Sequence, residues 1–549
     1  MELKKIFGID LGTTYSCISY VDESGRPVIV KNSEGSNITP SVVFFDEGAV
    51  VVGDVAKENA ALYPEKVVSF IKRSIGEEGY RFYHEDKELR AEEISAYILK
   101  KLVKDAELEL NEKIEDVVIT CPAYFGINER EATKQAGIIA GLNVKQIINE
   151  PTAAAISYGS IEENQNKVVL VYDLGGGTFD ITMIEIKENA INVICTGGDH
   201  NLGGKNWDDA ILTYLAEKFQ EQSGIDEDIL DNLETLQDLM VQAEKAKKQL
   251  TQRDKTTITV NFDGNRERIE LTREKFEELT ASLLERTVEL TKDMLSEASK
   301  KGYNSFDEIL LVGGSTRMPQ IMEKIRTEFS VEPRVFDPDE AVAKGAAIFG
   351  NNKAIQELIY KKIEETTSKP VDNNPPSEEE IERAIDTLET EGTLPGGNRR
   401  GTRINVNINN VTSKSFGVAV INREGERVIS NIITKNTTVP VTETKTFGTQ
   451  HENQLDVYIE IFENEVSDLT CEVENGKSIG TAILELPEGL PAHSPIEVRF
   501  TLNEEGILEM TAIEVNSGKE IHVTIEVTGS IKAEELEEIK NRTSGTLVE

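Results

Sequence analysis

"VYDLGGGTFD", Val171–Asp180, sets three consecutive glycines and a threonine between two acids, after the apolar lead-in "KVVL". The lead-in reads as a buried strand, a continuous apolar run bounded by a glycine turn. The glycines let backbone approach a ligand closely and adopt positive φ at little cost. Converging N–H groups then form a nest for an anion. A carboxylate at the same spot repels phosphate unless Mg²⁺ lies between them, and Mg²⁺ favours one or two carboxylates with water and phosphate oxygens. The pattern recurs near the N-terminus in "GIDLGTTYS", Gly8–Ser16. Two such turns facing each other, with Asp10 and Asp173, would hold a magnesium–nucleoside triphosphate in a cleft between two lobes. Either turn alone also reads as a glycine-rich hairpin whose Asp satisfies turn N–H groups. The doubling is what argues for a ligand.

A third stretch, "EILLVGGSTRMPQI" at 308–321, is an apolar strand, a Gly-Gly turn and a helix start. Gly313 and Gly314 permit a ring to stack flat on backbone, the helix N-terminus can meet polar atoms, and Arg317 can stack on a purine face. "GGDHNLGGKNWD" imitates a phosphate-binding P-loop but fails it. Asp199 stands where the first glycine belongs, and Asn206 follows Lys205 where Ser or Thr would reach Mg²⁺. Gly203 and Gly204 still offer a turn.

The 549 residues suffice for two to four domains, and 38% apolar content supplies their cores. Residues 1–350 alternate strand-like and helix-like segments, an α/β pattern; "EISAYILKKLVKDAELEL" has apolar residues at helical spacing. Residues 351–402 read as linker around one short acidic helix, "SEEEIERAIDTLE". There Ser377 and Glu380 have capping-box spacing, and Ile381, Ile385 and Leu388 form one stripe. From 403 to 528, runs such as "LDVYIEIF" and "IHVTIEV" between Gly, Asn and Pro turns mark a β-rich module. Residues 529–549 read as a short helical tail.

A formal charge of −40 disfavours nucleic acid as a partner, since phosphate-backbone affinity comes largely from Lys and Arg. No run approaches 18 apolar residues, which argues against a membrane span, and the opening "MELKKIFGIDLG" lacks a signal peptide's long apolar core. Four cysteines without CxxC spacing suit a reducing cytoplasm rather than a zinc cluster.

Together "GIDLGTTYS", "FIKRSIG", "CPAYF", "INEPTAAAISYG", "VYDLGGGTFDITMIEI", "GGDHNLGG", "AEKAKKQLT", "LVGGSTRMP" and "DPDEAVAKGAAI" resemble the 70-kDa heat-shock chaperone family (DnaK-like). The match spans almost all of residues 5–350, and the β module matches through "NTTVP" and "FGTQHENQ". The resemblance implies an α/β actin-like ATPase, a two-lobed nucleotide-binding domain, followed by an antiparallel β-sandwich that binds substrate. It implies ATP and ADP with Mg²⁺, with K⁺ a further candidate.

It also implies roles. Gly12, Thr13, Thr14 and Tyr15 line the first phosphate turn; Gly175, Gly176, Gly177 and Thr178 form the second. Asp10 and Asp173 organise Mg²⁺ through water. Lys72 touches the γ-phosphate and helps hold the attacking water, and Glu150 orients that water or takes its proton. Gly203 and Gly204 close on the β-phosphate. Glu244, Lys247 and Thr251 grip ribose and adenine. Gly314, Ser315 and Arg317 complete the adenine pocket, with Asp339 on the ribose side. By composition alone Lys72, beside Arg73, reads as a surface cation, and Glu150 as an acid favoured at a helix start.

The peptide pocket implied for the β module is Val418, Ile421, Phe447, Val457 and Ile459. Clients would be unfolded or extended polypeptides, with a J-domain co-chaperone and a nucleotide exchange factor left open as partners. The sequence departs from the family in four places. About twenty residues follow the β module, too few for a helical lid. Asn410 replaces the acid expected in the interdomain linker, and some fifty residues are added before it. Gln146 and Gly126-Ile127 replace the residues expected at a J-domain docking surface, whereas Pro122 and Arg130 of the presumed interdomain relay are kept. Residues 74–91 are shorter than the family's usual text. The leading expectation is a slow, ATP-hydrolysing chaperone. The alternative is a nucleotide-switched binding or regulatory protein without general refolding activity. A sugar kinase of the same fold would leave the β module unexplained.

Overall fold

The computed structural model describes residues 3–161, 166–187, 190–367, 371, 376–394, 407–503, 506–524 and 531–549. The first lobe is built on β1 (Phe7–Asp10), β2 (Tyr15–Val21), β3 (Pro27–Val30), β4 (Asp116–Cys121) and β5 (Asn143–Asn149), in the order β5-β4-β1-β2-β3. Strands β5, β4 and β1 run parallel, while β1-β2 and β2-β3 are antiparallel. The second lobe repeats this plan with β6 (Lys167–Leu174), β7 (Phe179–Lys187), β8 (Ala190–Asp199), β9 (Glu308–Val312) and β10 (Arg334–Val335), in the order β10-β9-β6-β7-β8. The doubled Asp-Leu-Gly text is therefore the loop of the same hairpin in each lobe, β1-β2 and β6-β7.

Helices cover both sheets, so the central strands are buried on two faces and read as unbroken apolar runs. All six residues of β4 are buried. In helix α1 (Ala91–Leu110), Ile94, Ile98 and Leu102 recur at helical spacing and enter the first lobe's core. Helices α2 (Ile127–Ile139) and α3 (Glu150–Ile161) follow, with α4 (Gly204–Ser223) and α5 (Leu233–Leu250) in the second lobe. A separate apolar cluster joins the lobes, uniting Val118 and Ile148 with Val169, Val171, Leu310 and Val312.

Helix α6 (Ala341–Thr367) runs straight through position 350, where the sequence suggests a domain boundary, so residues 351–367 are helix rather than linker. Gly350-Asn351-Asn352 looks like a helix stop. Tertiary cover overrides it, because Ile355, Leu358, Ile359 and Ile363 are buried against Ala384, Leu388 and Leu394. Ala384 and Leu388 lie on α7 (Glu378–Thr390), whose Ser377–Glu380 capping box forms as expected. Of the expected linker, residues 368–370, 372–375 and 395–402 lie outside the described residues, as do 403–406 at the start of the expected β module.

The β module consists of two antiparallel sheets. One orders Thr470–Glu472, Arg427–Ile433, Ser415–Ile421, Asp456–Asn464 and Gly476–Glu485; the other orders Val441–Gly448, Pro495–Leu502, Leu508–Glu514 and Glu520–Thr524. Both contribute to one core, from Phe416, Val418 and Ile461 to Val498, Phe500 and Met510. The chain enters the module through β11 (Asn407–Asn409), which pairs parallel with β8 at the edge of the second lobe's sheet. It then returns to the first lobe. Helix α8 (Ala533–Ser544) packs Ile539, with Ile531 before it, on Ala96 and Ile139, and β12 (Leu547–Val548) pairs with Ala49–Val50.

Leu388 is fully buried under α6. Leu388→Ala should remove about 2–5 kcal/mol of hairpin packing. Amide exchange across 378–390 should then accelerate while β6 stays protected; unchanged exchange would show that this contact does not hold α7 down.

Candidate active site

A cleft of about 590 Å³ separates the lobes, and both hairpin turns open into it. Its walls include Asp10, Gly12, Thr13, Thr14 and Tyr15 from one side and Asp173, Gly175, Gly176 and Thr178 from the other. Lys72, Glu150, Glu244, Lys247, Thr251, Gly314, Ser315, Arg317 and Asp339 complete it. Gly177, Gly203 and Gly204 stand behind this lining.

The two turns touch. A Cβ on Gly176 would lie 1.8 Å from Thr14 Oγ1, and one on Gly177 would lie 2.3 Å from Thr13 Oγ1. Only glycine allows that approach. The start of α4 locks onto the second turn from behind, with Gly204 N–H donating to Gly175 O at 2.9 Å and Lys205 N–H to Gly176 O at 2.8 Å. Ser315 Oγ donates to the same Gly175 carbonyl at 2.9 Å. Arg73 donates to Gly177 O at 2.7 Å and to Asn206 Oδ1 at 2.8 Å. The asparagine that spoils the P-loop pattern is thus an acceptor that braces this turn.

Where the turns meet, Lys72 is 5% exposed and its Nζ lies 2.5 Å from Glu150 Oε1. The sequence left Lys72 open between surface cation and site residue; the structure buries it. Burial works against its charge, but the Glu150 and Asp10 carboxylates outweigh that and hold its pKa above the ordinary value. Asp10 is pushed up to about 7 by burial and by Glu150. Asp180 rises to about 7 for the same two reasons, despite the Tyr124 N–H it accepts at 3.0 Å. Asp173 is raised by burial, Glu150 and Asp180. Four carboxyl groups thus surround one ammonium, a surplus that a divalent cation would neutralise. Among the described residues no three His, Cys, Asp or Glu side chains converge as a direct ligand set. Magnesium would fit here as Asp10 and Asp173 allow it, through water and phosphate oxygens.

On the outer wall, Tyr15 donates to Glu244 Oε1 at 3.1 Å, Lys248 pairs with Glu244 at 2.7 Å, and Lys57 of the first lobe pairs with it as well. Lys57 and Glu244 close the cleft mouth across the two lobes. Lys247 is committed to Gly204 O at 3.0 Å and Asp208 Oδ2 at 2.7 Å. Opposite, Arg317 pairs with Asp339 at 2.5 Å. Lys57, Lys248 and Asp180 escaped the sequence reading. Asp180 carried a signal, as the second acid of the quoted stretch and the partner of Asp173 across β6-β7. Lys248 carried one too, four residues after Glu244 on α5, whereas Lys57 carried none, because its acceptor lies far along the chain.

In the β module, Val418 and Ile459 are buried in the core, and Phe447 and Val457 pack partly buried against it. Ile421 is 49% exposed and lies outside that cluster, at the end of its strand. Arg130 of the expected relay donates to Phe125 O at 3.2 Å and to Asn149 Oδ1. Beside it Ile127, in the stretch expected to face a co-chaperone, is buried in the β module's own core.

The Hsp70 protein family model matches residues 6–354 and 394–547. The chain belongs to the Hsp70 family. The unmatched stretch between these blocks, 355–393, includes the outer part of α6 and all of α7. Two curated relatives, each named "Chaperone protein DnaK" and from two strains of Halobacterium salinarum, are 37% identical over 548 residues. The alignment covers 98% of this chain and 78% of each relative. This Hsp70 protein is accordingly an ATP-dependent chaperone with ATPase activity, and the regulatory alternative is not favoured. Among its described residues no helix is long and apolar enough to cross a membrane.

Asp10 and Asp180 sit near pKa 7 in the cleft, against 3.8 for an ordinary Asp. The stability they lend the fold is present below pH 3.8 and lost as pH rises through about 7. A cation holds them ionised, so magnesium–nucleotide binding near neutrality should release protons. Calorimetry at pH 7 in buffers of different ionisation enthalpy should show this, with the release fading by pH 9; buffer-independent enthalpies at pH 7 would contradict the assigned electrostatics.

Proposed function

We propose that this Hsp70 protein binds magnesium–ATP in the interlobe cleft, hydrolyses it slowly through Lys72 and Glu150, and lets the nucleotide set how the β module holds extended apolar polypeptide. The observation that carries this is the buried Lys72–Glu150 pair at the junction of the two turns. The N–H groups of Gly12–Tyr15 and of Gly175–Thr178 cradle the phosphates, with Gly203 and Gly204 behind the β-phosphate. Asp10 and Asp173 would hold Mg²⁺ through water, and K⁺ beside them would draw on the same carboxylate surplus. Bound there, Mg²⁺ supplies charge neutralisation on the phosphate oxygens.

Lys72, held charged by its neighbours, orients the attacking water against the γ-phosphate. Glu150 accepts that water's proton, and Thr178 stands beside it at the second turn. Water attacks phosphorus, the bond to the bridging oxygen breaks, and ADP and phosphate form. Positioning and charge account for most of the acceleration. Arg73 is spent on Gly177 O and Asn206, which leaves it bracing a turn rather than reaching the transferred group. That accords with a slow cycle, a timer rather than a metabolic converter. Glu244, Lys247 and Thr251 frame the ribose and adenine, opposite Gly314, Ser315 and Arg317, with Asp339 on the ribose side.

The two facing sheets form a β-sandwich in this reading. Val418, Phe447, Val457 and Ile459 form its apolar peptide pocket, with Ile421 at the rim. One buried leucine of a client contributes about 1.5–3 kcal/mol. Ordering a flexible peptide costs a comparable amount, so the pocket alone holds clients weakly and exchanges them quickly. A J-domain co-chaperone and a nucleotide exchange factor are the partners this cycle would use. Four unpaired cysteines suit work in the cytoplasm.

Glu150→Gln keeps the shape of the site and removes the base. Single-turnover hydrolysis should fall about 100-fold with nucleotide binding kept, and Lys72→Ala should fall at least as far. Wild-type hydrolysis in either variant would refute the assigned chemistry.

Peptide dissociation should be faster with ATP than with ADP. Equal rates in stopped-flow release would sink the coupling of cleft to pocket.

A further inference from the structure

We propose that Glu129 of the ATPase domain and Glu463 of the β module form a proton-operated latch, sharing one proton when the two domains are docked. Glu129 lies on α2, and Glu463 lies on the strand Asp456–Asn464. Both Oε2 atoms are buried and have no hydrogen-bond partner. Both point at one spot beside Gly126, each 2.9 Å from where a Cβ would stand there. Gly126, one of the departures from the family's text, leaves open the space into which both carboxyl groups point. Glu463 is 5% exposed.

The surroundings do not supply the missing charge. Ile127 N–H hydrogen-bonds to Glu463 from the start of α2. Lys414 pairs with Glu465 at 2.6 Å and lies 4.1 Å above the Tyr124 ring. The cavity at this seam, about 360 Å³, is also bordered by Lys72, Arg73, Glu77, His200 and Lys477. Lys72 is held by Glu150, and Arg73 by Gly177 O and Asn206. Lys414 and Lys477 act on Glu463 from a distance, more weakly than burial and Glu129. Burial first, and Glu129 second, push Glu463 up to about 7.

Two carboxylates facing each other away from water cannot both ionise cheaply. One retained proton turns the repulsion into an O–H···O⁻ hydrogen bond, among the stronger kinds. Undocking returns Glu463 to water, where it ionises. The docked form therefore binds the extra proton. Its contribution to docking is full below pH 4.5, the ordinary glutamate value, and is lost as pH rises through about 7. Modest acidification thus tightens the seam. The same cavity touches Lys72, so the latch borders the hydrolytic pair without belonging to it.

The test uses the full chain at fixed ATP, with dyes on the β module and the first lobe reporting docking by energy transfer. Between pH 8 and pH 5.5 the wild-type docking constant should rise about tenfold or more. Glu463→Gln should stay docked at both pH values, because its amide can accept the Ile127 N–H and donate to Glu129. Glu129→Gln should weaken the pH response without abolishing it, because burial still acts on Glu463, whereas His200→Gln should keep it in full. A pH-independent wild type, a response that survives in Glu463→Gln or is undiminished in Glu129→Gln, or a response that vanishes in His200→Gln would each overturn the latch.

Discussion

The contact between Gly176 and Thr14, and between Gly177 and Thr13, is the constraint on which the rest depends. It brings the equivalent hairpin loops of two topologically repeated lobes within van der Waals reach. A side chain on either glycine would drive the lobes apart. The apolar cluster behind the strands, from Val118 to Val312, sets the angle at which they meet. Both turns then line one cleft, as do Asp10 at the end of β1 and Asp173 near the end of β6.

That geometry concentrates negative charge. Asp10, Asp173, Asp180 and Glu150 gather around a single buried lysine, and burial lifts three of the acids well above their ordinary range. An arrangement of this kind is costly by itself and would be relieved by a bound cation, so binding energy and site electrostatics are two views of one fact. The interlobe pair Lys57–Glu244 at the mouth and the Arg73 brace behind the second turn keep the walls in register.

The β module is tied to this machine at several points. Strand β11 extends the second lobe's sheet, and Ser413 Oγ donates to Phe125 O at 3.1 Å. Ile127 inserts into the module's core, and Lys301 donates to the carbonyls of Ile194 and Asn436. The tail closes the circuit: Arg542 pairs with Glu93, Lys100 donates to Thr543 O at 2.5 Å, and Glu549 N–H donates to Val50 O at 2.9 Å. Departures from the family pattern cluster on these surfaces. Gly126 and Ile127 are refitted to the module. Asn410 accepts from Thr152 Oγ1 at 3.4 Å, a neutral contact where the family pattern puts an acid.

The sequence by itself determined the local chemistry: the two turns, their acids, the third Gly-Gly turn, the capping box of α7, and a module of alternating strands. Those follow from short-range rules, since glycine freedom, capping and periodicity are properties of neighbouring residues. Only the tertiary structure decided which distant groups complete them. It buried Lys72 against Glu150, brought Lys57 to Glu244, carried α6 past Asn351-Asn352, left Ile421 exposed, and folded the tail onto the first lobe. Each outcome rests on burial and charge shared between segments far apart in the chain, and no local pattern encodes an energy that exists only once both partners have left water.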